Sequence, residues 1–156
     1  MPFLEANGVN LFYEEEGTGK EVILFSHGLL WSHKMFAAQV EVLSKSYRVI
    51  AYDHRGQGQS ESKGPFDMDT VAEDAAAFIE NLGLGKVHFA GLSMGGFVGM
   101  RLAARRPDLI KSLILMETSA NAEPVENLPK YKTLNGIVKW LGVIAPVANK
   151  VMPIMF

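Results

Sequence analysis

Hydrophobic positions along the chain fall into runs of two kinds. Glu21–Ser26 (EVILFS), Tyr47–Tyr52 (YRVIAY), Val87–Ala90 (VHFA) and Ser112–Met116 (SLILM) are apolar almost without interruption and have strand length. They lack the in-and-out alternation of a half-exposed sheet, so they predict strands buried on both faces. The segments between them carry apolar residues at helical spacing. Met35, Phe36, Val40 and Leu43 predict a helix over Ser32–Ser46, with Ser32 as its N-cap. Val71, Ala75, Phe78, Ile79 and Leu82 form the stripe of a second helix, capped by Asp67, with Gly83 where a left-handed residue closes a helix. Met94–Arg106 predicts a third, stopped by Pro107.

Ahead of these elements, Asn7-Gly8 stands between Phe3–Ala6 and Val9–Glu15, the pattern of a tight antiparallel hairpin. Strands that alternate with helices predict βαβ units. The expected fold class is therefore α/β: a mostly parallel, doubly wound sheet with an antiparallel hairpin at its start. Beyond Met116 the pattern changes. Pro124, Pro129, Pro146 and Pro153 punctuate helical fragments, and no further strand is expected.

Composition narrows this picture. At 156 residues and 48% hydrophobic, the chain can bury the core of one domain. A net charge of −2 offers no basic surface to nucleic acid or to an anionic membrane. The absence of cysteine excludes disulfides and thiolate metal sites. The opening MPFLEANG has neither a basic nor an apolar signal segment, so a cytoplasmic location is expected. Ile137–Phe156 has the length of a membrane span, but Lys139, Asn149 and Lys150 are costly in lipid, and Pro146 and Pro153 interrupt a helix. It is read as short amphipathic helices over a pocket, with no membrane span.

The chemistry concentrates in Gly91-Leu92-Ser93-Met94-Gly95-Gly96, between an expected strand and an expected helix. A serine hydroxyl is a weak nucleophile until it is exposed, held rigidly and set beside a base. A sharp strand-to-helix turn does the first two. Glycines two before and two after the serine remove side chains where backbone must pass close, and Gly91 and Gly95 stand there. The helix that begins at Met94 offers free N–H groups to a developing oxyanion. A dinucleotide-binding loop fits poorly, because Ser93 replaces its second glycine and no acidic residue follows about 20 positions on at the end of a strand. A phosphate loop lacks its Gly-Lys-Ser/Thr ending, and no cofactor or metal is expected.

A second motif, His27-Gly28-Leu29-Leu30, follows EVILFS at the end of an adjacent strand. A loop there can aim the Leu29 N–H at the same oxyanion as the Met94 N–H. Asp53-His54-Arg55-Gly56-Gln57-Gly58-Gln59-Ser60 reads as a glycine-bent loop in which Asp53 and Arg55 bond backbone and neighbours. His54 precedes the serine, the wrong part of the chain for the base of this architecture. His33 and His88 read as ordinary helix-start and strand residues.

In order and spacing, the hairpin, SHGLL, YDHRGQGQS, GLSMGG and SLILMETSA resemble the α/β-hydrolase superfamily from Phe3 to about Thr118. They look most like its bacterial group of enol-lactonases, carboxylesterases, cofactor-free perhydrolases and C–C bond hydrolases. The resemblance implies Ser93 as nucleophile, the Leu29 and Met94 amides as an oxyanion hole, and His27, Gly28, Gly91 and Gly95 as residues that shape the site. It implies a core over residues 1–118 and the start of a helical cap over 119–156. The substrate it implies is a small, moderately hydrophobic ester or lactone, hydrolysed through an acyl-enzyme. Perhydrolysis, C–C bond hydrolysis and a non-catalytic binding fragment are the alternatives.

The resemblance fails at the base. The family's order is serine, acid, histidine, and here no histidine follows Ser93, the last being His88. Glu117, at the end of SLILM, stands where some relatives carry a catalytic acid. The expectation is that further strands, the acid and the histidine come from a complementing C-terminal segment of the same protein. The 156-residue chain alone would then be inactive or very weak.

Overall fold

The computed structural model describes residues 3–121, 125–129, 132–133 and 136–137. The chain divides into two compact units, Met1–Ala120 and Asn121–Phe156. The first contains β1 (Phe3–Ala6), β2 (Val9–Glu16), β3 (Val22–Ser26), α1 (Ala37–Leu43), β4 (Arg48–Tyr52), α2 (Met68–Asn81), β5 (Val87–Leu92), α3 (Met94–Arg105) and β6 (Ile110–Met116). In the second, a short 3₁₀ turn spans Val125–Asn127. The cap expected over 119–156 falls largely outside the described residues, as does the apolar stretch from 138 onward. Among the described residues no helix is long and apolar enough to cross a membrane.

The strands form one sheet in the order β1-β2-β4-β3-β5-β6. β1–β2 and β2–β4 are antiparallel, and the other three pairs are parallel. This is the mostly parallel, doubly wound sheet with an N-terminal hairpin that the pattern predicts. At the hairpin, Asn7 (φ 49°) and Gly8 (φ 80°) are both left-handed, as the two-residue turn between Ala6 and Val9 requires.

Both faces of the sheet's middle are covered, which explains the uninterrupted apolar runs. Ile23, Phe25, Val49, Ala51 and Ala90 pack with Phe36 on one face. Leu24, Ile50, Tyr52, Val87 and Phe89 meet residues of α2 and α3, among them Val71, Phe78, Val98 and Leu102, on the other. The chain leaves β3 towards β4 and leaves β5 in the opposite direction, towards β6. The divergence opens a crevice at the C-terminal ends of β3 and β5, where open α/β sheets bind their ligands.

Two elements depart from expectation. The helix read over Ser32–Ser46 is a 3₁₀ turn, His33–Phe36, followed by the seven-residue α1. Ser32 is extended, but its hydroxyl makes no capping bond. The His33 N–H donates instead to Asp53 Oδ1 at 2.6 Å, so a carboxylate from the end of β4 takes over the capping role. β6 is the second departure. It reads as a buried strand, yet as the outermost strand among the described residues it leaves Ile114 and Leu115 each 45% exposed. On the α1 side its residues Ile114 and Met116 line an apolar groove of about 370 Å³ with Phe25, Leu43, Tyr47 and Ala90.

Candidate active site

Ser93 stands at the crevice, between the last residue of β5 and the first of α3. Its backbone, φ 50° and ψ −110°, is one that residues with side chains rarely adopt. Neighbouring elements hold it there. The Ser93 N–H donates to Met116 O of β6 at 2.9 Å. Ser93 O accepts from Gly96 N at 2.9 Å, Phe97 N at 3.2 Å and Thr118 Oγ1 at 2.9 Å. The two glycines have different neighbours. A Cβ on Gly91 would lie 2.3 Å from Gly95 O, and one on Gly95 would lie 2.0 Å from Ser26 O. Gly91 thus lets the first turn of α3 fold down onto β5, and Gly95 lets it rest on β3.

The loop after β3 approaches from the other side of the crevice. A Cβ on Gly28 would lie 3.6 Å from Ser93 Cβ. Trp31 N–H donates to Gly28 O at 3.3 Å, closing a four-residue turn whose third residue, Leu30, has φ 64°. The Leu29 and Leu30 side chains are each 57% exposed. Among the described residues no hydrogen bond engages the Leu29 N–H, the Met94 N–H or Ser93 Oγ.

Beneath this loop lies a buried polar network. His27 and His54 are both fully buried. Gly28 O can only accept, so the 2.7 Å contact puts the His27 proton on Nδ1, and its Nε2 accepts the His54 N–H at 3.1 Å. His27 O also can only accept, so His54 carries its proton on Nε2, which lies 3.0 Å from Ser26 Oγ. His33 Nδ1 meets Asp53 Oδ1 at 2.9 Å. The sequence reading names His27 as a residue that shapes the site; the structure places its ring between the two loops, bonded to Gly28 O and to the His54 N–H. His54 is committed to the same framework.

Burial holds the His27 imidazole below its usual range. It holds His54 well below, with the adjacent His27 adding to the effect. The folded protein therefore keeps both rings neutral at a pH where the unfolded chain takes up protons. Stability from these groups is fully present above the usual histidine pKa of 6.5 and declines as pH falls below it. Each group contributes a slope of up to about 1.4 kcal/mol per pH unit. Denaturant melts between about pH 7 and pH 5 should show falling stability, with a shallower slope in His54→Gln. A flat wild-type profile would contradict the neutral assignment.

The remaining candidates lie elsewhere. His88 is on β5, its Nδ1 2.7 Å from Ser112 Oγ and its Nε2 2.7 Å from Glu21 Oε2. These residue types make up a hydrolytic triad, but Ser112 sits within β6, opposite His88 in the ladder, with no helix N-terminus behind it. Glu117 follows β6 with a left-handed backbone, φ 44°, and is exposed. No histidine is hydrogen-bonded to Ser93 among the described residues. Nor do three or more metal-ligating side chains cluster among them. Sequence reasoning missed Gln57, which reaches both Leu30 and Met94, and Thr118, which holds Ser93 O. Neither carries a local signal, because each acts on a residue distant in the chain.

A doubly wound sheet that presents a serine on a strained strand-to-helix turn at its switch point defines a recognisable class of α/β domain. The chain belongs to the α/β-hydrolase fold family, whose profile matches residues 21–143. The enol-lactonase of Burkholderia xenovorans LB400 superposes with a TM-score of 0.88 at 33% identity, covering 97% of this chain and 58% of that one. A thermophilic esterase from Thermogutta terrifontis gives 0.86 at 32% identity, covering 98% and 57%. A Caulobacter segnis protein provisionally named carbamate hydrolase RutD is 36% identical over 118 residues, 72% of this chain and 44% of that protein. The chain thus spans about half the length of the relatives it matches.

Proposed function

We propose that this chain is the serine-bearing portion of a cytoplasmic hydrolase that cleaves carboxylic esters or lactones through an acyl-enzyme. The observation that carries the reading is the strained backbone of Ser93, φ 50° and ψ −110°, on the turn between β5 and α3. The Leu29 and Met94 N–H groups, which no hydrogen bond engages among the described residues, support an oxyanion hole beside it. In this reading Ser93 Oγ attacks the carbonyl carbon, and the carbonyl π pair moves onto oxygen between those amides. The hydroxyl proton passes to a histidine. Collapse of the intermediate breaks the C–O bond, and the leaving oxygen takes that proton. Water then hydrolyses the Ser93 ester by the same steps in reverse.

The histidine and its acid partner come from a C-terminal complementing segment of the same protein. The edge of β6, unpaired among the described residues, and the apolar groove beside it support such a partner, because an exposed parallel edge invites pairing and aggregates when left bare. Exposed Leu29 and Leu30 at the crevice, together with the esterase and enol-lactonase neighbours, support a small, moderately hydrophobic substrate.

The test is active-site labelling with a fluorophosphonate, on the chain with and without its complementing segment. Ser93→Ala should abolish labelling and leave the thermal midpoint unchanged. The complemented protein should label faster than the chain alone by at least about a hundredfold, the lower end of what a positioned general base contributes. Labelling that survives Ser93→Ala would overturn the assignment of Ser93 as nucleophile, and no labelling in the complemented protein would overturn the reading in favour of a non-catalytic binding module.

A further inference from the structure

The loop after β4 carries Gln57 towards two other elements. Gln57 lies on it between two left-handed glycines, Gly56 (φ 72°) and Gly58 (φ 56°). Its own backbone is tied on both sides, N–H to His54 O and O to Ser60 N–H, each at 3.0 Å. The loop is anchored beneath by buried Asp53, which accepts from Gln59 N at 2.9 Å and from His33 N at 2.6 Å. From this base the Gln57 side chain reaches two other elements. Oε1 accepts the Leu30 N–H at 2.6 Å, and Nε2 points at Met94 Sδ at 3.7 Å. The amide cannot be turned round, because the Leu30 N–H can only donate and so must face oxygen.

These two contacts fall on the residue after Leu29 and on Met94 itself. Leu30 occupies the turn position that favours glycine, and a leucine held at φ 64° tends to relax by flipping the peptide that precedes it. The bond from Gln57 grips that peptide by its N–H. We infer that Gln57 is a positioning residue: it holds the Leu29–Leu30 turn against the start of α3, and so sets the spacing of the two backbone amides that receive the oxyanion. The inference rests on the serine-hydrolase reading above and adds to it a third element, the β4 loop, as the brace of the oxyanion hole.

The brace should matter more to the transition state than to bound substrate, because only the developing oxyanion requires both amides at once. On the full protein, this chain with its complementing segment, Gln57→Leu should slow Ser93 phosphonylation about tenfold. That is less than the hundredfold or more lost when a donor is deleted. The fall should lie in the maximal rate, with the half-saturating probe concentration within about twofold of wild type. Exchange of the Leu30 amide should rise about tenfold in the same variant. Adding Leu30→Gly, which accepts the left-handed turn unaided, should restore most of the labelling rate. A direct chemical role for Gln57, or general damage to the fold, would not be rescued in this way.

Labelling of Gln57→Leu at the wild-type rate, unchanged Leu30 exchange, or failure of Leu30→Gly to rescue would each overturn the inference. Labelling that persists in Ser93→Ala would instead sink the underlying reading. Leu30 exchange would then still decide whether Gln57 braces the turn.

Discussion

Gly95→Ala should destabilise the fold by about 3 kcal/mol or more. The added methyl would lie 2.0 Å from Ser26 O and 2.5 Å from Ser26 C. Both atoms are backbone of β3, whose residues are buried throughout, so no flexible side chain can swing aside. Relief requires the first turn of α3 to lift off the sheet. That movement would also drag Ser93 out of its bonds to Met116 O and Thr118. Overpacking usually costs about 1–3 kcal/mol. With backbone on both sides, about 3 kcal/mol or more is expected, a large share of the roughly 5–15 kcal/mol that holds a domain folded. Gly85→Ala is the matched control. Gly85 has φ 67° but nothing within 4 Å of a Cβ, so its cost is conformational only, about 1 kcal/mol. Denaturant unfolding compares the two. Equal losses would mean that α3 does not rest on β3 through Gly95.

Asp74→Ala should be nearly as severe, for an electrostatic reason. Asp74 lies on the inner side of α2, 1% exposed, and Arg55 beside it is 6% exposed. The Arg55 guanidinium grips the carboxylate with Nε at 2.6 Å from Oδ2 and with Nη2 on Oδ1. Asn7 Nδ2 donates to Oδ1 at 2.8 Å, and Arg55 Nη2 reaches Asn7 O at 3.2 Å. One buried pair thus ties the first hairpin, the β4 loop and α2 together. Removing the carboxylate strands a guanidinium in the interior and should cost about 3–5 kcal/mol. Replacing both partners, as in Arg55→Met with Asp74→Leu, should cost less than Asp74→Ala alone, because no charge is left unpaired. A double variant as unstable as the sum of the two single changes would show that the pair is not the source of the loss.

The same pair shows how far the chain could be read. Val71, Ala75, Phe78 and Ile79 announce the buried stripe of α2, and position 74 falls on that stripe at helical spacing. A carboxylate there signals a buried partner, but nothing local names Arg55, which lies in a different loop. Asp53 is similar. Its loop reads as one in which Asp53 bonds backbone and neighbours, and it does, but nothing local names the His33–Phe36 turn that it caps from a neighbouring strand. Ser32 had the right residue type and neighbours for that task, and tertiary contact overrode it. β6 misled for the opposite reason. SLILM reads as a doubly buried strand, yet its exposure depends on whether anything lies beyond it in the sheet, which no periodicity records.

By itself the sequence determined which segments are strands and helices, where the hairpin turns, and that Ser93 sits between glycines where a strand becomes a helix. Those features are written in neighbouring residues, through the periods of strand and helix and the backbone freedom of Asn-Gly and Gly-x-Ser-x-Gly. Only the tertiary structure decided that β3 and β5 lie side by side, that the Gly28–Trp31 turn faces Ser93, and that Gln57 spans from that turn to Met94. Those contacts join residues tens of positions apart. They follow from strand order and register, which are set by packing the whole sheet at once and have no counterpart in any short stretch of chain.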